Sequence, residues 1–396
     1  VDTNSTLTDG DSLDGGNGTD TLSITTSGAA AAAAQTLTPI LKNIEKVLVN
    51  NTSSDGLYDN IVDLSLTDSS VTEVGTTGST TAGVTTRFTN VAKLVAVDVA
   101  GKGNVTVGFT GGAGDGTADA ITVNLNGAGS SLANSTINVS SNDIETINLV
   151  SGTSANYVTL TDTALKTVNV SGAKDVAVTL AASVTAVDAS AATGKVTVNS
   201  DAATLANITS AKGGAGTTDV FTTDENIAAS SSLSKITGFE VYKFDSAAGT
   251  QTISLDAAIS GVSTIDLTAS SKQTLTLANG YTGATTVNVG SAGAVDSITN
   301  TAANVALTVA GVGAAFNTVT VAGGTGTDTL NITADSTTAS LTSTSGINAI
   351  NVKANTTTAS STLSLTNVVT GAVGTTLTVD ASNLTNTSAA FGASLK

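Results

Sequence analysis

Residues 145–149 read Glu-Thr-Ile-Asn-Leu, and residues 166–170 repeat the pattern as Lys-Thr-Val-Asn-Val. An apolar residue, an Asn or Asp and a second, usually apolar residue recur in this order at residues 185–189, 263–267, 285–289 and 348–352. Copies that follow one another directly lie 19 to 22 residues apart. A period of about 20 residues is typical of one coil of a parallel β-solenoid, whose coils bury their apolar faces only by stacking. The sequence therefore predicts an all-β chain of parallel, β-helix-like coils.

Short alternating segments support this prediction. Residues 105–107, 121–125, 196–198 and 275–277 alternate apolar with polar side chains, which is the pattern of strands with one buried face. In stacked coils the recurring Asn or Asp has two interpretations. It forms a ladder of side-chain hydrogen bonds between coils, or it faces solvent opposite two core residues.

The composition limits the chemistry. The 396 residues include 40 Gly and one Pro but no His, Cys, Met or Trp, which removes imidazole bases, thiol nucleophiles, His-ligated zinc and disulfides. Carboxylate catalysis stays open, but only 3% of the residues are aromatic and the 14 basic residues are scattered. A polysaccharide lyase would need a basic and acidic groove, so we expect no enzyme.

The charge balance points in two directions. A net charge of −17 argues against nucleic acid as a partner, because phosphates require a basic surface. Clustered carboxylates favour divalent cations, although net charge also simply keeps a protein soluble.

No apolar run approaches ~18 residues, so no membrane span is expected. The start at Val1 suggests a piece of a longer protein.

The organisation along the chain is predicted as three parts. Residues 1–50 form an opening segment with glycine-rich motifs and a short helix over Ala29–Ile44, interrupted at Pro39. Residues 51–90 lose the repeat and are expected to be an insertion or joint. Residues 91–396 form the β-solenoid region, as one solenoid or as several docked β domains.

Glycine-rich motifs carry the candidate chemistry. Residues 15–23 and 323–331 match the nonapeptide G-G-x-G-x-D-x-apolar-x, residues 111–121 and 213–221 are near copies, and residues 291–298 are a degenerate form. Glycines reach turn conformations that aim backbone carbonyls inward, and the Asp adds a carboxylate. Calcium prefers six to eight such oxygens. The alternative is that these motifs are only coil-closing turns, in which the Asp side chain forms a hydrogen bond with the nearby backbone. This alternative fits Asp296 best.

The nonapeptide resembles the RTX repeats of type I-secreted bacterial proteins. Together with the Thr-, Ala- and Ser-rich composition and the phrase at residues 144–149, the chain looks like the C-terminal, lattice-forming part of a Gram-negative surface-layer protein. That resemblance implies calcium as the cofactor, secretion to the cell surface, self-association, and attachment to polysaccharide through a missing N-terminal part. RTX motifs normally run in tandem, whereas these are about 100 residues apart, so neighbouring coils would complete each calcium site.

The motifs and the resemblance define one set of candidate ligands. They are Asp9, Asp11, Asp14, Gly16, Asn17, Gly18, Asp20, Gly112, Gly114, Asp115, Asp119, Gly214, Gly216, Asp219, Asp296, Gly324, Gly326 and Asp328.

Two functions remain as hypotheses. The first is a surface-layer protein that folds and assembles into a two-dimensional lattice when calcium is present. The second is a type I-secreted, calcium-dependent adhesin that binds a surface or polysaccharide. Such adhesins often repeat near-identical domains of about 100 residues, and this sequence lacks them.

Overall fold

The structure is a computed structural model of the chain. It describes residues 7–27, 35–54, 59–139, 144–224, 227, 232–245, 250–268, 273–278, 280–283, 286–289, 296–301, 307–311, 319–322, 329–334, 338–345, 349–354, 362–365 and 376–380. The fold is an all-β solenoid of stacked parallel strands, as the repeat predicted.

The chain divides into two compact units. The first comprises residues 1–199 and 207–217, and the second comprises residues 200–206 and 218–396. The first unit contains β1 (Ser12–Asp14), β2 (Thr21–Thr26), β3 (Gln35–Leu37), β4 (Ile40–Lys42), β5 (Lys46–Asn51), β6 (Asp59–Asp63), β7 (Glu73–Ser79), β8 (Thr85–Val91), β9 (Ala96–Gly101), β10 (Asn104–Phe109), β11 (Ala120–Ala128), β12 (Ser135–Val139), β13 (Thr146–Ser151), β14 (Asn156–Leu160), β15 (Thr167–Gly172), β16 (Val176–Thr179), β17 (Ala186–Ala192), β18 (Val196–Ser200) and β19 (Ser210–Lys212).

The second unit begins with a short helix and continues as strands. Its elements are α1 (Ala202–Asn207), β20 (Val220–Thr223), β21 (Ile236–Thr237), β22 (Val241–Phe244), β23 (Gln251–Leu255), β24 (Thr264–Leu267), β25 (Gln273–Leu277), β26 (Thr286–Val289), β27 (Asp296–Asn300), β28 (Leu307–Gly311), β29 (Val319–Ala322), β30 (Thr329–Ala334), β31 (Thr338–Ser345), β32 (Ala349–Ala354), β33 (Thr362–Leu365) and β34 (Thr376–Asp380).

Within each unit, every second strand along most of the chain belongs to the same sheet. In the first unit one sheet runs β2-β5-β7-β9-β11-β13-β15-β17-β19 and another runs β3-β6-β8-β10-β12-β14-β16-β18, with β1 paired to β4. In the second unit the orders are β20-β22-β24-β26-β28-β30-β32-β34 and β23-β25-β27-β29-β31-β33. Since the paired strands are parallel, each coil repeats the path of the one before it.

The alternation of side chains puts the apolar residues inside. In β13, Ile147 and Leu149 are 0% exposed, while Thr146 and Asn148 between them are half-buried on the outer face. The interior is filled mainly by Val, Ile and Leu from successive coils. Burying one such side chain stabilises the fold by about 1.5–3 kcal/mol.

The recurring Asn forms the predicted ladder in the first unit. Asn148 of β13 pairs in register with Asn169 of β15, and Asn169 pairs with Asp188 of β17. Asn169 Nδ2 donates to Asn148 Oδ1 at 2.8 Å, so the amides join consecutive coils through their side chains as well as their backbones. The ladder prediction is confirmed at this contact.

Two expectations about the first 90 residues are corrected. Within the part of Ala29–Ile44 that the structure describes, residues 35–37 and 40–42 are strands and not a helix. In the segment 51–90, expected to be an insertion or joint, β6, β7 and β8 pair in parallel with their neighbours. Coil stacking therefore begins earlier in the chain than the sequence indicated, because backbone pairing continues where the side-chain pattern is weak.

Aromatic residues gather in the core of the second unit. Phe239, Tyr242 and Phe244 are no more than 2% exposed, and the Phe221 ring centroid lies 5.6 Å from that of Phe239 in an edge-to-face contact. Tyr242 Oη donates to Ile236 O at 2.9 Å, and burial raises the pKa of this phenol. These rings are therefore core residues of the second unit.

Among the residues that the structure describes, no helix has the length and apolar character needed to cross a membrane.

Candidate metal centre

The first two aspartates of the opening motif each accept a main-chain hydrogen bond. Asp9 Oδ1 accepts a hydrogen bond from Thr38 N at 2.9 Å, and Asp11 Oδ2 accepts one from Thr8 N at 2.7 Å. Each carboxylate therefore already holds a backbone N–H near the protein surface. The contact of Asp11, three residues from Thr8, fits the alternative of a local turn, whereas the contact of Asp9 joins residues 29 positions apart.

Asp14 has a similar environment. Its Oδ1 accepts from Asn43 Nδ2 at 2.8 Å and from Gly16 N at 3.0 Å, and its Oδ2 lies 3.3 Å from Lys42 Nζ. The hydrogen bond from Asn43, followed by those from Gly16 and Lys42, lowers the pKa of Asp14. The residue is thus a charged surface group with a basic neighbour.

An exposed turn of Gly16, Asn17 and Gly18 leads to the final aspartate of the motif. The two glycines have φ of +83° and +131°, values that side chains with a Cβ rarely adopt. The glycine spacing of the motif therefore matches the conformation that the backbone takes here.

Asp20 differs from the earlier aspartates. Its main-chain N–H donates to Glu45 Oε2 at 2.8 Å, and its carbonyl accepts from the N–H groups of Glu45 and Lys46, both at 3.1 Å. Its Oδ2 is buried and accepts no hydrogen bond. A Cβ on Gly15 would lie 2.7 Å from Asp20 Cβ, so glycine permits this close approach. A buried, unsatisfied oxygen costs about 1–3 kcal/mol unless another ligand satisfies it.

The second motif ends in the same contact. Asp119 N donates to Glu145 Oε2 at 2.8 Å, and Asp119 O accepts from Glu145 N at 3.1 Å and Thr146 N at 2.9 Å. Asp119 Oδ2 accepts from Gly116 N at 2.7 Å. The main chain of Asp119 is therefore bonded to both the side chain and the main chain of Glu145 in the next coil.

The glycines of this motif turn the chain ahead of Asp119. Gly112 and Gly114 have φ of +83° and +90°, and Asp115 N donates to Gly112 O at 3.3 Å. Asp115 is exposed. Asp115 forms part of the turn through its main-chain hydrogen bond to Gly112, whereas Asp119 contacts Glu145 in the next coil.

A third copy of the contact lies in the second unit. Asp219 N donates to Glu240 Oε2 at 2.9 Å, and Asp219 O accepts from Val241 N at 3.0 Å. Asp219 is 0% exposed. The motif glycines Gly214 and Gly216 belong to the first unit.

The remaining sequence candidates are not described as side chains. Gly324, Gly326 and Asp328 lie outside the described residues, and Asp296 is described only as the first backbone position of β27.

We call the three contacts of Asp20 with Glu45, Asp119 with Glu145, and Asp219 with Glu240 the Asp–Glu corners. The separations along the chain are 25, 26 and 21 residues. Sequence reasoning identified the aspartates but missed the glutamates. The available signal was that each glutamate follows a large apolar residue, Ile44, Ile144 or Phe239, and directly precedes a strand.

The corners supply oxygen donors in pairs. Among the described residues, no three Asp or Glu side chains gather closely enough to hold a metal ion by themselves. A calcium ion needs six to eight oxygens, so backbone carbonyls and water would have to provide the rest. The donor set fits a hard cation, because carboxylates and carbonyls suit calcium better than zinc or copper. The orphaned Asp20 Oδ2 agrees with that fit.

A separate cluster on the outer face of the first unit combines opposite charges. Lys46 Nζ donates to Glu73 Oε2 at 2.7 Å, and Asn124 Nδ2 donates to Asp98 Oδ1 at 2.7 Å. Burial raises the pKa of Asp98 to about 6. The hydrogen bond from Asn124 and the charge of Lys46 lower this pKa, and the hydrogen bond and charge of Glu73 raise it.

This raised pKa predicts a specific effect of pH on stability. The folded value lies above the ordinary 3.8, so the stability that protonated Asp98 contributes is complete below about pH 4 and is lost as pH rises through about 6. We expect Asp98→Asn to raise the free energy of unfolding by ~1–2 kcal/mol at pH 8, after allowance for solvent screening, and to change it little at pH 4. Urea denaturation at both pH values measures this. Equal effects at the two pH values would contradict the assignment.

Neither a scan against protein-family models nor searches of curated proteins and of solved structures found a match to this chain.

Proposed function

We propose that this chain is a structural protein of a bacterial cell surface, which folds with calcium and assembles with copies of itself into a two-dimensional extracellular lattice. The observation that carries this proposal is the Asp–Glu corner, which recurs after three glycine-rich motifs. The resemblance of those motifs to RTX repeats supports the same conclusion.

The mechanism is a linkage between binding and folding. Calcium that binds the stacked coils but not the unfolded chain stabilises the fold by about 2.7 kcal/mol per site at a free concentration of 100 times Kd. Where calcium is scarce, as in a cytoplasm, the chain stays less ordered and suited to export by a type I system. Outside the cell, calcium then orders it.

Assembly requires surfaces that pair with identical copies. Parallel solenoid coils present open backbone edges at their ends, and such edges accept further strands. The net charge of −17 opposes close contact between copies, and bound cations reduce that repulsion. A part of the protein beyond this chain would provide attachment to surface polysaccharide.

The test is assembly of the purified chain during a calcium titration. We expect light scattering to rise at millimolar or lower calcium and electron microscopy to show ordered sheets, with no such growth in magnesium. Folded particles that stay monomeric and instead adhere to a polysaccharide or cell surface would favour the adhesin. Growth that is equal in calcium and in chelator would contradict the proposal.

A further inference from the structure

We propose that Asn17 is a modification site, at which the folded chain deamidates itself. The main-chain nitrogen of Gly18 attacks the side-chain amide carbon of Asn17, and water completes the reaction. The product carries a carboxylate where the sequence has a neutral amide. The chemistry requires neither calcium binding nor assembly, so it is independent of the proposed function.

Water is the only co-reactant that the chemistry needs. A bond forms between Gly18 N and Asn17 Cγ, the bond from Cγ to Nδ2 breaks, and ammonia leaves with the proton of the main-chain N–H. Water then opens the cyclic imide at either of its carbonyl carbons, which gives aspartate or isoaspartate at position 17. Because the reacting groups belong to adjacent residues, the first step is intramolecular and depends on how freely they can meet.

An Asn followed by Gly favours this reaction, because glycine has no Cβ to hinder the attack. The sequence contains this pair at residues 17–18, 126–127 and 279–280. Asn279 lies outside the residues that the structure describes. In the other two pairs the Asn is exposed and the glycine has a positive φ, +131° in Gly18 and +78° in Gly127. The two pairs are therefore alike in sequence, exposure and sign of φ.

The pair at residues 17–18 leaves the attacking group free. Both residues lie in the exposed turn that precedes Asp20, and neither belongs to a strand. Within the described part of the chain, the Gly18 N–H donates no hydrogen bond and the Asn17 side chain forms none. A Cβ on Gly18 would come no closer than 3.9 Å to an atom beyond its chain neighbours, so the space around this glycine is open. The Gly18 nitrogen can therefore reach the Asn17 side chain.

The pair at residues 126–127 is held by the next coil. It lies within β11, and Asn156 Oδ1 of β14 accepts hydrogen bonds from Gly127 N at 2.9 Å and Ala128 N at 3.0 Å. Asn156 is 1% exposed, so water has little access to these bonds. An N–H group that is bonded to Asn156 must lose that bond before it can attack Asn126. The fold therefore protects one pair and leaves the other reactive.

The test is peptide mapping by mass spectrometry after incubation of the purified chain in weakly alkaline buffer at constant calcium. We expect Asn17 to convert at least about tenfold faster than Asn126, since only Asn17 has an unbonded attacking group. Each conversion replaces an amide NH2 by OH, and both the mass and the released ammonia report it. The variant Asn17→Gln is the matched control, because its longer side chain closes the ring less readily and should release less ammonia.

The unfolded chain shows whether the fold causes the difference. In urea the Gly127 N–H is released from Asn156, so we expect the rates at Asn17 and Asn126 to become similar. Equal rates in the folded chain, or no conversion of Asn17, would overturn the proposal. A difference that persists unchanged in urea would also overturn it, because local sequence and not the fold would then set the rates.

Discussion

Replacement of Gly129 by alanine is expected to destabilise the first unit by more than ~3 kcal/mol. Gly129 has φ of +69°, and a Cβ there would lie 2.1 Å from Tyr157 O and 2.8 Å from Ser135 N. Both contacts are with backbone atoms of the neighbouring strands β12 and β14, which cannot move without breaking their own pairing. The added methyl group would therefore push two coils apart.

The matched control is Gly111→Ala. Gly111 has nearly the same φ, +65°, but no atom lies within 4 Å of the place its Cβ would take. Gly111→Ala should lower the free energy of unfolding by only ~1–2 kcal/mol, the cost of a left-handed conformation for a residue with a Cβ. Urea denaturation followed by far-ultraviolet circular dichroism compares the two at constant calcium. Equal losses would show that close coil stacking does not occur at Gly129.

The second large effect concerns the direction of side chains in β13. Leu149→Asp would put a charge at a position that is 0% exposed, and we expect it to lower the free energy of unfolding by more than ~4 kcal/mol. Asn148→Asp introduces the same side chain one residue earlier on the outer face. In the wild type, Asn169 Nδ2 donates to Asn148 Oδ1 at 2.8 Å, and an Asp carboxylate can accept the same hydrogen bond. We therefore expect Asn148→Asp to lower the free energy of unfolding by no more than ~1 kcal/mol.

The comparison tests the burial pattern of the solenoid. Denaturation midpoints and resistance to limited proteolysis would be measured for both variants at neutral pH. A severe loss in Asn148→Asp together with a tolerated Leu149→Asp would mean that the strand faces the other way.

The repeat at residues 145–149 predicted the stacked coils because side-chain alternation is a local pattern and the recurrence of the repeat gives an approximate coil length. The helix over Ala29–Ile44 was predicted from intrinsic propensity. The structure instead pairs Gln35–Leu37 with β6, since backbone hydrogen bonds to a neighbouring coil override a weak local preference.

The segment 51–90 was misread for a related reason. Its glycine content and the loss of the repeat suggested an insertion or joint, but a Cβ on Gly75 would lie 2.2 Å from Asp98 O of the adjacent strand. The glycine is a requirement of tight pairing there, not a break in it. A sequence alone does not distinguish a glycine in a turn from one pressed against a neighbouring backbone.

The Asp–Glu corners were half predicted. The motifs identified Asp20, Asp119 and Asp219 by their glycine spacing, which is a local signal. Their glutamate partners lie a whole coil later at unequal distances, so only the stacking of coils brings them together. Long-range partners of this kind follow from the number of residues in each coil, which the loose repeat did not define.

The central claim is the proposal that calcium stabilises the stacked coils, and thermal unfolding of the purified chain tests it most directly. Circular dichroism would follow the β signal after chelation of all calcium, after its return, and with magnesium in its place. The account predicts a lower melting temperature or a lost β signal in chelator, restored by calcium at millimolar or lower concentration and not by magnesium. Melting curves that coincide in all three conditions would contradict it.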